Sequence, residues 1–402
     1  MEKCITKPRI RFKEFTDAWE QCELSNLVDI YDGTHQTPKY QNNGIMFLSV
    51  ENIATLKSNK FISESDFKKE YKIYPVKGDI LMTRIGDVGT PNVVKTDELL
   101  AYYVSLALLK PKNVNPFFLS NNILSESFKK ELKQRTLITA IPQKINKDQI
   151  GLIKTYYSNN RLEQNKIGDF FNNLDNIITF HQRKYDKLTY IRNSLLEKMF
   201  PAEDTKIPKI RFKGFTDAWE QRKFLDCTTK IIDFRGRTPK KMGDDWSDTG
   251  ILALSALNVK DGYIDKELDA HFGSIGLYNK WMHGNELHKG QVLLTTEAPA
   301  GNVAQIPDDS KYILSQRTIA FEFDTKEFDE TYIATLLRSS LVTKFINNSS
   351  SGGTAKGISQ KTLSELSIIF SRNLEEQNRI GTIFSDLNLL ITLHQRKYLS
   401  LT

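Results

Sequence analysis

Residues 8–21 read Pro-Arg-Ile-Arg-Phe-Lys-Glu-Phe-Thr-Asp-Ala-Trp-Glu-Gln, and residues 208–221 read Pro-Lys-Ile-Arg-Phe-Lys-Gly-Phe-Thr-Asp-Ala-Trp-Glu-Gln. Only Arg9/Lys209 and Glu14/Gly214 differ, and the offset of 200 is about half of the 402 residues. Solenoid repeats run to ~20–50 residues, so the chain is one unit duplicated. Each copy is long enough to close its own core.

Working outward, each signature leads into short apolar runs set between Gly, Asn and Pro turns, the pattern of strands. Residues 45–50, 79–83 and 105–109 are answered in the same order by 251–254, 291–295 and 318–321. Each unit is therefore expected to be a mixed α/β (α+β), strand-rich domain with short helices. Two loops repeat as well: 33–40 with 235–241, both containing Thr-Pro-Lys, and 139–144 with 356–361. Between these landmarks the halves diverge, which suggests one scaffold carrying two different reading surfaces.

Each half then ends in a helix, roughly 161–200 and 374–402. Asn160 with Glu163, and Asn373 with Glu376, are capping-box-like starts. His-Gln-Arg-Lys-Tyr recurs at 181–185 and 394–398, an offset of 213, so the second half carries a net 13 extra residues. A seam at alternating steps of four and three runs through Ile167, Phe171, Leu174, Ile178, His181, Tyr185, Leu188, Arg192, Leu195 and Met199. It returns at Ile380, Phe384, Leu387, Ile391, His394, Tyr398 and Leu401. This period predicts that the two helices pair as a coiled coil, the first ~60 Å long and the second about two heptads shorter. His181 and His394 read as polar register devices on the seam. Trp19, Trp219, Phe15 and Phe215 read as core anchors.

Hydrophobic residues are 39% and charged residues 26%, a globular composition. No apolar run approaches the ~18 residues of a membrane span, and the N-terminus has no signal-peptide core. Cys4, Cys22 and Cys227 lack metal-ligand spacing and read as reduced thiols, so a cytoplasmic protein with no membrane partner is expected. The net charge of +7 and pI near 9.0 favour a polyanionic partner, since each phosphate contact releases counterion. Candidate DNA contacts are Thr37, Lys39, Tyr40, Arg84, Arg135, Gln143 and Lys144 in the first half. In the second they are Arg235, Arg237, Thr238, Lys240, Lys241, Arg317, Lys356 and Gln360. Hydroxyls and lysines suit phosphate, and a guanidinium suits the bidentate contact to guanine; the alternative is solvated surface loops.

Catalytic motifs are weak. Asn115-Pro116-Phe117-Phe118 is superficially similar to the Asn-Pro-Pro-Phe loop of adenine methyltransferases, but it lacks the second proline and a Gly-rich cofactor loop, and reads as a helix start. Asp308, Asp324 and Lys326 loosely fit a metal-dependent nuclease, with no equivalent in the first half. No GxxxxGK phosphate loop is present. Residues 86–89 and 350–353 read as turns.

Two divergent strand-rich units, each followed by a near-identical helix opening with Leu-Glu-(Glu)-Gln-Asn, resemble the specificity (S) subunit of a type I restriction–modification enzyme. The resemblance covers the whole chain. It implies that 1–158 and 201–371 are target recognition domains, each reading one half of a split DNA site. It implies that the helices 159–200 and 372–402 set the unread spacer. It also implies no catalysis and no cofactor in this chain. Two methyltransferase (M) subunits using S-adenosylmethionine, and restriction/translocase (R) subunits using ATP and magnesium, would be recruited to it. The duplication then predicts a pseudo-twofold arrangement with antiparallel helices, and the divergence predicts a non-palindromic site. Two modules one DNA turn apart, ~34–36 Å, are within the reach of such helices. Two other readings stay open: the nuclease, and a coiled-coil scaffold without DNA function.

Overall fold

A computed structural model describes residues 7–203, 205–349 and 357–401. Cys4, the turn at 350–353 and Lys356 lie outside the described residues. The chain divides into two compact units, 1–178 and 179–402.

The first unit runs β1 (Glu20–Glu23), α1 (Leu24–Leu27), β2 (Val28–Asp32), β3 (Ile45–Leu48), β4 (Phe61–Ile62), α2 (Glu64–Glu70), β5 (Ile80–Thr83), β6 (Pro91–Val93), β7 (Leu100–Tyr102), β8 (Leu106–Pro111), α3 (Pro116–Ile123), α4 (Glu126–Arg135), α5 (Lys147–Gly151) and β9 (Lys154–Tyr157). It leads into the long helix α6 (Arg161–Lys198). The second runs β10 (Glu220–Lys223), β11 (Thr228–Asp233), β12 (Ile251–Leu254), β13 (Val259–Lys260), β14 (Tyr263–Ile264), β15 (Phe272–Gly273), α7 (Ile275–Met282), β16 (Val292–Thr295), β17 (Val303–Gln305), β18 (Ile313–Leu314), β19 (Thr318–Phe323), α8 (Glu330–Leu336), α9 (Ser340–Ser349), α10 (Gln360–Glu365), β20 (Ser367–Phe370) and α11 (Leu374–Leu401).

The two units share one topology. The sheet β2-β8-β5-β6 answers β11-β19-β16-β17, β4-β3-β7 answers β15-β12-β18, and the pair β1-β9 answers β10-β20. Among the described residues, only the second unit has the hairpin β13/β14. The offset climbs from 201 at Asp32/Asp233 to 206 at Ile45/Ile251 and 211 at Phe61/Phe272, so most of the extra length sits before β12 and in that hairpin. The expected match of 139–144 with 356–361 does not hold. Ile145 N–H donates to Arg84 O at 3.0 Å, and Ile358 N–H donates to Thr296 O at 2.8 Å. These places are equivalent, so the offset there is 213, the same as in the helices. The shared Ile, Gln and Lys were coincidental; the residues preceding α5 and α10, Asn146 and Ser359, fix the register.

The central strands are almost wholly apolar because both faces of the sheet are covered. Ile80, Met82, Ala107 and Leu109 enter one core of the first unit, and Leu81, Leu106 and Leu108 the other. In the second unit Val292, Leu294, Ile319 and Phe321 face one core, and Leu293 and Ala320 the other.

The repeated signature docks on the start of the repeated helix. Arg11 donates to both oxygens of Glu163 at 2.6 and 2.8 Å, and Trp19 Nε1 donates at 3.3 Å. Arg211 and Trp219 repeat this on Glu376 at 2.6, 2.9 and 3.2 Å. Both carboxylates are fully buried. Burial alone would raise the pKa of Glu163, but hydrogen bonds from Arg11 and Ser158 and the Arg11 charge outweigh it and hold it below the usual value. The capping boxes are therefore only half formed. Asn160 accepts from Leu162 and Glu163 N–H at 3.0 and 3.3 Å, and Asn373 from Glu375 and Glu376 N–H at 2.9 and 3.1 Å. The glutamates, however, turn to the arginines instead of back to the cap.

The seam also divides its work. Ile167 packs on the first unit's core, while Ile380 and Phe384 lie in the second unit's core. Leu195 and Met199 join that same second core. Arg192 faces Asp261 at 3.9 Å, beside the bidentate Arg338–Asp261 pair. Phe171 is exposed; Leu174, Ile178, Tyr185, Leu188, Leu387 and Tyr398 are half-buried, and Ile391 is buried. Within the second unit, His181 Nδ1 meets His394 Nδ1 at 2.8 Å, and the Phe200 and Phe384 rings lie 6.2 Å apart. Residue numbers thus run in opposite senses, and the helices are antiparallel there. The 3.5-residue stripe extends past the helix–helix contact because its ends dock on globular cores.

Candidate nucleic-acid interface

The repeated loops spring from one end of each main sheet. In the first unit β2 ends at Asp32, β5 ends at Thr83, and Thr83 faces Leu106 at the start of β8. Loop 33–40 leaves this end, and loop 136–145 returns to it through the Ile145–Arg84 bond. In the second unit Asp233, Thr295 and Thr318 mark the same end. There Thr296 N–H donates to Arg317 O at 2.9 Å, as Arg84 N–H does to Ser105 O at 2.9 Å.

Both ends carry one clasp built from different residues. In the first unit the guanidinium of Arg84, which follows β5, pairs with Asp32 and donates to Ile145 O at 3.1 Å. In the second unit the residue after β16 is Thr296, and Arg235, from the loop after β11, takes over. It pairs with Asp233 at 2.5 Å and donates to Ile358 O at 3.2 Å. Burial alone would push the Asp233 pKa up, but the hydrogen bonds and charge of Arg235 outweigh it and hold it low. The side-chain oxygens of Thr296 and Thr318 are buried there without a partner. Neither Asp32 nor Asp233 stood out in the sequence; the only signal was an aspartate closing a strand just before each Thr-Pro-Lys loop.

The candidate contacts divide accordingly. Arg84 is buried and Arg235 is fastened to the same acid as Gln360, whose Nε2 donates to Asp233 at 2.9 Å. Arg237 lies over the Phe234 ring at 4.0 Å and donates to Trp281 O at 2.5 Å. Lys241 donates to Gly236 O at 2.8 Å, and the Thr238 hydroxyl accepts from Lys241 N–H at 3.3 Å. Arg317 lies 3.8 Å from Glu297. Arg135 pairs with Glu131 at 3.2 Å, leaving its buried Nε unpartnered. Gln143 donates to Gly86 O at 3.0 Å. Thr37, Lys39, Lys144 and Lys240 are exposed, and Tyr40, also exposed, packs its edge on Phe47. Arg84, Gln143 and Lys144 in the first unit and Arg235, Arg317 and Gln360 in the second thus lie at one sheet end, and Arg84 and Arg235 already hold the loops together there.

The nuclease residues are not assembled. Asp308 accepts from Lys266 Nζ at 2.7 Å and Tyr312 OH at 2.9 Å, contacts that hold its pKa low, Lys266 foremost. Asp324 accepts from Lys326 N–H at 2.9 Å in a local turn. Among the described residues no group of three or more His, Cys, Asp or Glu is placed to hold a metal ion. Asn115 is the N-cap of α3, accepting from Phe118 N–H at 3.0 Å, as Asp329 is of α8 at 2.7 Å, so that segment is a helix start. Cys22 and Cys227 are free, and burial pushes both thiols up to about 11. No described helix is long and apolar enough to cross a membrane.

Residues 219–402 match the type I restriction modification DNA specificity domain. The S subunit of a type I restriction–modification system from M. genitalium has a similar fold: TM-score 0.63, 12% identity, 98% of this chain and 96% of that one covered. The HsdS subunit from Thermoanaerobacter tengcongensis aligns at TM-score 0.39 and 12% identity over 95% and 93% of the two chains. The second unit is thus matched by a type I restriction modification DNA specificity domain, and the full length shares the fold of an S subunit of such a system.

Proposed function

We propose that each unit reads one half of a bipartite, non-palindromic DNA site through the loops at its sheet end, and that the helices set the spacer. The observation that carries this is the pairing of one framework with two different sets of loops. The unbroken 38-residue α6 contributes to both units, and at ~1.5 Å per residue it is ~57 Å long, more than one turn of duplex. The chain binds no cofactor itself. It recruits two M subunits, which bring S-adenosylmethionine, and R subunits, which bring ATP and magnesium, and it works in the cytoplasm.

The test is selection from random duplexes by the chain with its methyltransferase subunit at moderate salt, read beside a map of methylated adenine in cells carrying it. The expected result is one split site with a fixed spacer and unlike halves. A complex with no sequence preference, or a palindromic site, overturns the reading.

A further inference from the structure

Loop 137–144 of the first unit carries three large aliphatic side chains within five residues: Leu137 is 45% exposed, Ile138 66% and Ile141 100%. Isolated exposed aliphatics are ordinary, but a cluster marks a contact surface. The loop is braced. Leu137 N–H donates to Lys144 O at 2.8 Å, Gly86 N–H donates to Gln143 O at 2.9 Å, and Gln143 Nε2 returns to Gly86 O at 3.0 Å. Arg84, clasped by Asp32, holds Ile145 O just beyond. Exposed Lys144 stands at the base, and the loop with exposed Thr37 and Lys39 leaves the same sheet end.

Cations around an apolar tip fit a polyanion with apolar groups inside its groove. In duplex DNA the thymine C5-methyl, in the major groove, is that group. We propose that Ile138 and Ile141 contact thymine methyls in the half-site of the first unit. This rests on the DNA-reading role above and names the chemistry that unit selects. At the offset of 213, residues 350–354 read Ser-Ser-Gly-Gly-Thr, so the second copy has no such side chains and the contact belongs to one half of the site.

The test uses the full chain with its methyltransferase subunit and the site selected by the wild type. Each thymine of both half-sites is replaced in turn by deoxyuridine, which removes only the methyl. One or two positions, all in one half, are expected to weaken binding roughly fourfold each, the factor for burying one CH2 group. Ile138→Ser and Ile141→Ser are expected to bind thymine sites as the wild type binds the uracil ones, with no further loss on uracil substitution. Equal loss on all sequences, an unchanged thymine-to-uracil ratio, DNA bending abolished by the serine variants, or lost methyltransferase binding overturns the inference. A wild-type complex without any preferred site instead refutes the DNA-reading role itself.

Discussion

Glu163→Gln tests the contact that joins the duplicated signature to the duplicated helix. The carboxylate is fully buried and accepts three N–H groups, two from an Arg11 side chain that is 11% exposed. Glutamine keeps one oxygen, so one charged hydrogen bond is lost and the guanidinium faces an amide with no anion. Removing one partner of a buried ion pair costs ~3–5 kcal/mol. Arg11 retains some water access, so the lower end, about 3 kcal/mol, is expected. For a unit of this size each kcal/mol moves Tm by ~2–4 °C, giving a shift of about 6–12 °C. Differential scanning calorimetry of the full chain should show it in the first unit's transition, and Glu376→Gln should show a matching shift in the second. Adding Arg11→Met to Glu163→Gln should recover more than half, because the stranded cation is gone while Trp19 keeps its acceptor. The folded-state pKa of Glu163 lies below its ordinary value of 4.5. The contribution is therefore full above that pH and is lost as pH falls through the folded value, so wild type and variant should converge in acid. A shift under about 2 °C, or a double variant as unstable as the summed singles, would refute the reasoning.

Three more outcomes follow from the same geometry. Asp32→Asn should blur only the half-site of the first unit and Asp233→Asn only that of the second, read from the methylated-adenine map; blurring of both halves by either variant contradicts independent clasps. Gly168→Ala and Gly381→Ala should each destabilise by about 1–3 kcal/mol in denaturant titration, although alanine favours helix. A Cβ at Gly168 would lie 2.7 Å from Asn115 Oδ1, and one at Gly381 2.9 Å from Asp329 Oδ1. Burial, then the charges of His181, Lys184 and Lys397, hold His394 below its ordinary value of 6.5. Stability of the second unit should thus be full above that value and fall as pH drops through the folded one, and His394→Asn should flatten that dependence in urea titrations between pH 7.5 and 5.

The duplication, the two strand-rich units and the helices were legible because near-identity and apolar period survive in single letters. The helix ends came within a few residues of Arg161–Lys198 and Leu374–Leu401. What escaped was anything that needs two distant segments. Glu163 looked like a capping-box residue because only its neighbours were visible, while its partner Arg11 is 152 positions away. Arg84 and Arg235 looked like free donors because their acids, Asp32 and Asp233, become neighbours only when the sheet ends converge. The seam at Arg192 and Met199 kept its spacing but changed its partner, which no periodicity can announce.

The two clasps explain why so few letters are shared between the halves. The acid at the strand end and the backbone oxygen of Ile145 or Ile358 are fixed by the sheet and by the register of the following helix, α5 or α10. A guanidinium reaching both satisfies them from either side, from after β5 or from after β11, because its five donors span a fork wide enough for two acceptors. The framework therefore constrains the position of one planar cation and leaves its sequence position free. Once that cation is in place, the loop tip beyond it is released from any structural duty: Leu137, Ile138 and Ile141 lie exposed without unfolding their root. Loop chemistry can then differ between copies while the scaffold stays the same, as the two unlike readers proposed above would require.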